Sequence, residues 1–435
     1  MLEIIRDIIR DRERGIFSGI PSYCTANETV IRSIIRNAKE KGSTVLIEAT
    51  SNQVNQNKGY SGMDPFEFVR YIDSICDDLG FPRDMVIKGG DHLGPLPWAA
   101  YSSDVAMDEA EKLVRMSVRA GYKKIHLDTT MKLGCDGGDP DDELIARRAA
   151  RLYKACEEEY MELKKSNPNE EHPVFVIGSE VPYAGGIRGD EDDVEVTRPE
   201  DFRKTLATFH KVFREEGIRG AKQHIVAVVI QPGVDFGSDK LQLYDHDKFA
   251  GLFKELMRYP NLVFEGHSTD YQPRDKLKQM VRDGISILKV GPALTFAYRE
   301  ALYSLSYIED MFDDIQDKSD LRKVIERTMV AHSDYWNRYY TGKESYLQMM
   351  RAFGLSDRCR YVLIEKTVKD SIDKLLDNMR SVKLPLGVLR QFLPEQYSKI
   401  VAGSLKNDVD DIIHDHIIGV IEAYEYAMDF RYISD

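Results

Sequence analysis

Short apolar runs rich in β-branched residues recur along the first 300 positions, and most are followed by a turn and then a stretch of helical period. The runs are GIFSGIPSYC (15–24), TVLIEAT (44–50), DMVIKGG (84–90), KKIHLDTT (123–130), PVFVIGSEVP (173–182), HIVAVVIQPG (224–233), LVFEGHSTDY (262–271) and ISILKVGPALT (285–295). Nearly continuous apolar runs of this length suit strands buried on both faces, which means a parallel sheet. The segments between them predict helices over 65–80, 106–122 and 197–217; the last opens on Thr197, Pro199 and Glu200, a capping-box arrangement with an early proline. Eight strand–helix units ending near residue 300 predict an α/β fold, a (β/α)₈ TIM barrel, over 1–300. An open doubly wound sheet is the alternative, but no GxGxxG turn follows the first strand. Residues 301–435 carry long helical patterns and little strand, and predict an α-helical C-terminal extension serving stability or subunit contact, including contact between copies of the chain.

Composition narrows the class. A net charge of −13 over 435 residues disfavours nucleic acid and anionic membrane surfaces as partners, since both require a basic face. It leaves a small phosphorylated substrate open, because a few basic groups focus charge locally. The five cysteines have no CxxC spacing and predict reduced thiols. The charged start MLEIIRDIIRDRERG has no signal-peptide core, and no apolar run reaches membrane-spanning length. A cytoplasmic enzyme is the resulting expectation.

In a barrel of this type the site lies at the C-terminal strand ends. Those ends carry Glu48, Thr50 and Asn52; Asp91 and His92; Asp128 and Thr129; Glu180; Gln231; Glu265, His267, Ser268 and Asp270; Lys289 and Gly291. His92, Glu180 and His267 belong to strands three, five and seven, alternate staves facing one interior. Two imidazoles and a carboxylate suit Zn²⁺, Mn²⁺ or a similar divalent ion; hydrogen-bonded side chains beside a polar pocket are the other reading. His126, His224 and His246 read as packing or surface histidines. Asp91, Asp128 and Asp270 are the candidates for proton transfer. Glu48 with Asn52, and Gln231, read as substrate contacts. Ser268, Lys289 and Gly291, after strands seven and eight, are the expected phosphate groups.

Several long segments together resemble one family. They are LIEATSNQVNQNKGYSGM (46–63), GGDHLGP (89–95), KIHLD (124–128), IGSEVPYAGG (177–186), VIQPGVDF (229–236), GHSTDYQ (266–272), LKVGPALTFAYREAL (288–302), SDRCRYV (356–362) and PLGVLRQFLPEQ (385–396). The chain is identified by them as a member of the GatZ/KbaZ family, usually described as a subunit of tagatose-1,6-bisphosphate aldolase. The resemblance implies a barrel similar to class II, metal-dependent aldolases, with Asp91 as acid/base and His92, Glu180 and His267 as metal ligands. It departs from those aldolases at strand six, where Gln231-Pro232-Gly233 stands in place of a ligand histidine. Some members are described as non-catalytic partners of a separate aldolase subunit. Others resemble epimerases interconverting D-tagatose 6-phosphate and D-fructose 6-phosphate. The C4 hydrogen of a 2-ketose is β to the carbonyl and weakly acidic, so inversion there calls for cleavage and re-formation of the C3–C4 bond, which is aldolase chemistry.

Overall fold

The computed structural model describes residues 1–178 and 194–428. Eight parallel strands close into a barrel in sequential order: β1 (Ile20–Cys24), β2 (Val45–Thr50), β3 (Val86–Leu93), β4 (Lys124–Leu127), β5 (Val174–Ile177), β6 (Ile225–Ile230), β7 (Val263–Gly266) and β8 (Ile285–Val290). β8 returns to β1 with Ile20 opposite Ile287 and Ser22 opposite Lys289. Seven strands fall inside their apolar runs, and β3 begins in its run and continues past it through Asp91 and His92 to Leu93; β6 and β8 are buried at all six positions, as a helix-covered parallel sheet requires. The chain is a TIM barrel. A two-stranded hairpin, Asp235–Phe236 with Leu241–Gln242, decorates the β6 exit.

Helices follow the strands at Glu28–Lys41, Pro65–Leu79, Ser103–Ala120, Asp142–Ser166, Pro199–Glu215, His246–Leu256, Arg274–Arg282 and Pro292–Asp310. The capping box predicted at Thr197 is not formed. Arg198 is the N-cap residue there, and Thr197 instead ties back to strand β6, accepting from the Gln231 N–H at 2.9 Å and donating its own N–H to the Gln231 carbonyl. A true capping box stands at Asp64 and Glu67, whose side chains each accept from the other's backbone N–H.

The amphipathic N-terminal helix Leu2–Glu13 closes the bottom of the barrel, setting Ile5 and Ile8 against Leu46, Val174, Val226 and Ile287. At the other end of the chain the helix Val409–Met428 packs against β1 and against the helices Glu28–Lys41, Arg274–Arg282 and Pro292–Asp310. Ile412, Ile417, Ile421 and Tyr424 along it are buried. It therefore packs beside β1, next to the helix Pro292–Asp310, which runs straight through residue 300. The apolar core is continuous from the barrel helices into the extension. Among the described residues no helix is long and apolar enough to cross a membrane.

Candidate metal centre and substrate cavity

Side chains of a strand alternate between faces, so every second residue of a barrel strand enters the interior. Here the interior carries two polar storeys. The lower one joins Ser22, Glu48, Lys124, Glu265 and Lys289 from five strands. Lys124 Nζ lies 2.9 and 3.1 Å from the two Glu48 oxygens and 2.8 Å from Glu265 Oε2. Lys289 pairs with Glu48 and reaches Asp91 Oδ1 at 3.0 Å. Burial lowers the Lys289 pKa, yet Asp91, Cys24, Glu48 and Glu265 outweigh it and hold the ammonium well above its ordinary value. The same balance, with Lys124 and Lys289 overcoming burial, holds Glu265 well below the carboxylate range. Two glycines make room. A Cβ at Gly89 would stand 2.6 Å from Glu48 Oε1, and one at Gly94 would stand 1.7 Å from the Asp128 carbonyl oxygen.

Above this layer sit Asp91, His92, His126 and His267, with ligating atoms all within 4.8 Å of one another. The three imidazoles form a near-equilateral triangle, with ring centroids 4.8, 4.9 and 5.2 Å apart. Each ring has a fixed orientation. His92 Nδ1–H donates to Asp128 Oδ2 at 2.9 Å, His267 Nε2 meets Glu265 Oε1 at 2.9 Å, and His126 Nε2–H donates to the Gly178 carbonyl at 2.7 Å. Carboxylates or carbonyls behind imidazoles set the tautomer and raise basicity in metal sites. His92 (φ 45°) and Ser268 (φ 54°) both adopt the left-handed region, a strain that clusters at functional sites.

The donor set fits a divalent cation on two grounds. Among the described residues, the two storeys with Asp128 hold four buried carboxylates (Glu48, Asp91, Asp128, Glu265) against two lysines (Lys124, Lys289), an imbalance that one divalent ion removes. In addition, His126 Nδ1 accepts the His92 backbone N–H at 3.2 Å and stands 3.0 Å from Asp91 Oδ1. An acceptor nitrogen facing a carboxylate oxygen calls for a shared cation. His92, His126 and His267 would hold it, with the Asp91 carboxylate beside it.

A cavity of about 400 Å³ opens above the cluster, within the range of small-molecule sites. Of the residues picked out in the sequence, Asp91, His92, His267, Asp128, Asp270, Asn52, Ser268, Lys289 and Gly291 line it. Ser268 Oγ is buried there without a hydrogen-bond partner among the described residues. Asp270 Oδ1 accepts the N–H groups of Gly291 (3.0 Å) and Ala293 (2.8 Å) at the start of the helix after β8, so those groups, expected to meet a phosphate, are engaged by a carboxylate. Burial nevertheless pushes Asp270 up to about 6. Burial opposes ionisation of Asp128 too, but its bonds to His92 and Thr130 bring it down to about 2. For Asp91, burial is outweighed by His92, Lys289, His126 and His267, and the carboxyl is held well below its ordinary range.

Two picked residues lie elsewhere. Glu48 is beneath the cavity floor, in the ion web. Gln231 is buried outside the cavity, its Oε1 accepting the N–H groups of Gly233 and Val234 and thereby holding its own turn. Glu180 falls in 179–193, outside the described residues. His126, read from the sequence as a packing residue, is a corner of the cluster. The alternation of Lys124 with His126 on β4, matching Glu265 with His267 on β7, is the signal that points to it.

The closed parallel barrel with three imidazoles and a carboxylate beneath a polar cavity defines a (β/α)₈-barrel protein with a candidate metal centre. Residues 5–429 match the family model described as "D-tagatose-1,6-bisphosphate aldolase subunit GatZ/KbaZ-like", and the chain belongs to that family. It is 40% identical over 423 residues to the D-tagatose-1,6-bisphosphate aldolase subunit GatZ of Salmonella heidelberg (strain SL476), covering 97% of this chain and 99% of that one. It is 39% identical to the protein of the same name from Klebsiella pneumoniae, with the same coverage. The crystal structure titled a probable tagatose 6 phosphate kinase from Sinorhizobium meliloti 1021 superimposes with a TM-score of 0.86 at 36% identity, covering 94% of this chain and all of that one.

Proposed function

We propose that the protein is a metal-dependent ketohexose-phosphate 4-epimerase interconverting D-tagatose 6-phosphate and D-fructose 6-phosphate. The observation that carries this reading is the Asp91–His92–His126–His267 cluster flooring a cavity that also exposes Asp270. A divalent cation on the cluster would supply the Lewis acidity that stabilises negative charge on the ketose oxygens during cleavage. Asp91 and Asp270 are the proton carriers. One carboxylate takes the C4-hydroxyl proton as the C3–C4 bond breaks, its electrons passing to the C2 carbonyl to give an enediolate and an aldehyde. The aldehyde turns, the enediolate carbon re-attacks its other face, and the second carboxyl returns a proton to the new C4 oxygen. Exchange with solvent resets both groups, and a carboxyl near 6 is suited to that exchange at neutral pH. Asp128 holds His92, and Ser268 Oγ is available to a substrate oxygen.

The test is the lone purified protein, with Mn²⁺ or Zn²⁺ shown to be bound, incubated with fructose 6-phosphate. Tagatose 6-phosphate is the expected product, and its absence refutes the reading. The names of the curated relatives favour a second reading, a partner subunit of a separate aldolase. Co-purification with such a subunit, and full support of its activity by a His92→Ala variant, would establish that role instead. Either role is that of a cytoplasmic sugar-phosphate protein.

A further inference from the structure

The mouth of the cavity opposite the metal cluster is built by the C-terminal extension, through Tyr339, Ser356, Arg358, Arg360 and Tyr361. Residues 358–361 form a single 3₁₀ turn, and both of its arginines, Arg358 and Arg360, line the cavity. Arg358 Nε donates to the Tyr335 carbonyl at 2.6 Å, and its guanidinium lies over the Tyr339 ring at 3.8 Å. Arg360 Nη1 donates to the carbonyls of Ser356 and Asp357, and its Nη2 donates to the Tyr361 hydroxyl at 2.9 Å. Tyr60, from the loop after β2, meets the Tyr361 ring edge-on at 4.6 Å and closes the other side.

Three buried arginines of this chain are matched by a carboxylate, Arg148 by Asp136, Arg299 by Asp357 and Arg351 by Glu326, while buried Arg12 is met by the carbonyls of Tyr259, Pro260 and Leu262 and does not line this cavity. Among the described residues Arg358 and Arg360 have carbonyl, hydroxyl and ring neighbours but no carboxylate ion pair. In a chain of net charge −13 two such cations facing a cavity are an exception, and leaving them unmatched in a part-buried place is costly unless an anion arrives. Planar guanidinium forks match phosphate oxygens. The N–H groups after β8 are already held by Asp270, so the anion must be met elsewhere.

We infer that Arg358 and Arg360, with the Tyr60 and Tyr361 hydroxyls, form the subsite for the terminal phosphate of the substrate. The sugar's identity rests on the function proposed above; the anion subsite does not. In the retro-aldol sequence the C6 phosphate belongs to the aldehyde fragment. A phosphate held at the far end of the cavity keeps that fragment in place while its carbonyl carbon turns over against the enediolate. The extension thus contributes substrate contacts rather than only covering the barrel.

The experiment is calorimetric binding of fructose 6-phosphate, fructose and a hexuronate to the full-length, metal-loaded protein, alongside Arg358→Gln and Arg360→Gln variants with thermal unfolding as the folding control. Arg360 also holds two backbone carbonyls, so if Arg360→Gln does not fold, Arg358→Gln decides. The expected result is a Kd for fructose 6-phosphate raised about 10- to 100-fold, with fructose changed less than twofold. Wild-type binding of fructose 6-phosphate no tighter than fructose overturns the inference, as does binding within twofold in the folded variants. Tighter binding of the hexuronate through the same arginines overturns the phosphate assignment. Arginine-dependent binding without formation of tagatose 6-phosphate upholds the subsite and refutes the epimerase.

Discussion

Replacing Asp128 by Asn changes one atom in a fully buried side chain, yet the surrounding donors leave the amide no satisfactory orientation. Asp128 Oδ1 accepts from Thr130 N at 3.1 Å and Thr130 Oγ1 at 2.7 Å, while Oδ2 accepts from His92 Nδ1 at 2.9 Å. If the amide oxygen stays with Thr130, its NH₂ faces His92 and forces Nδ1 to become an acceptor. The ring proton then moves to Nε2, the nitrogen that must be bare to bind a cation. If the amide is reversed, the NH₂ faces a backbone N–H that cannot turn away. Loss of such a partner behind a ligand histidine costs about 10- to 100-fold in metal affinity, or about 1.4 to 2.7 kcal/mol. Competition of the protein against a fluorescent zinc chelator measures this directly, with the unfolding midpoint of the metal-free variant confirming an intact fold. A folded Asp128→Asn protein that holds Zn²⁺ within threefold of wild type would falsify the assignment of Asp128 as the group that orients His92.

Two further outcomes follow from the buried charges. Lys124→Met leaves the buried Glu48 and Glu265 with Lys289 as the one lysine they share, a loss of about 3–5 kcal/mol; at roughly 0.9 kcal/mol per degree for a chain of this length, calorimetry should show a Tm lower by about 3–6 °C. An unchanged Tm would mean that the web contributes nothing, and adding Glu265→Gln to Lys124→Met should recover part of the loss. Asp270, raised by burial to about 6, takes up a proton on folding. Its contribution to stability is full below the unfolded value of about 4 and is lost as pH rises through about 6. Urea midpoints between pH 4 and 7 should therefore fall less steeply in Asp270→Asn than in wild type, and parallel curves would refute the shift.

The barrel was legible because its strands are buried on both faces, so each of the eight appears as a short run dominated by apolar residues. The upper storey was legible only in part. Asp91 and His92 stand out because glycine and proline fence them, and His267 because polar residues surround it in GHSTDYQ. His126 is enclosed by Ile125 and Leu127, whose burial against helices is what an apolar run reports; its own side chain points the other way. Glu48 and Lys289 read as substrate groups because a sequence places residues along a strand but not at a depth within the barrel. Gln231 lies at a strand end like the others, and only the turn geometry shows its amide folded back on Gly233 and Val234. The role of 356–362 was illegible in physical terms, since nothing local distinguishes an arginine over a distant cavity from one on a solvated turn.

The helix Val409–Met428 has a consequence for how the protein is made. β1 and the helix Glu28–Lys41 leave the ribosome long before the helix that covers them, and Met428 accepts a hydrogen bond from Gly19 N–H at 3.3 Å. Every strand of the barrel must be synthesised before that flank is sealed. Contacts of such long sequence separation form slowly and leave apolar surface open to association in the meantime. Nascent chains of this protein should therefore depend on chaperone protection until the helix Val409–Met428 docks.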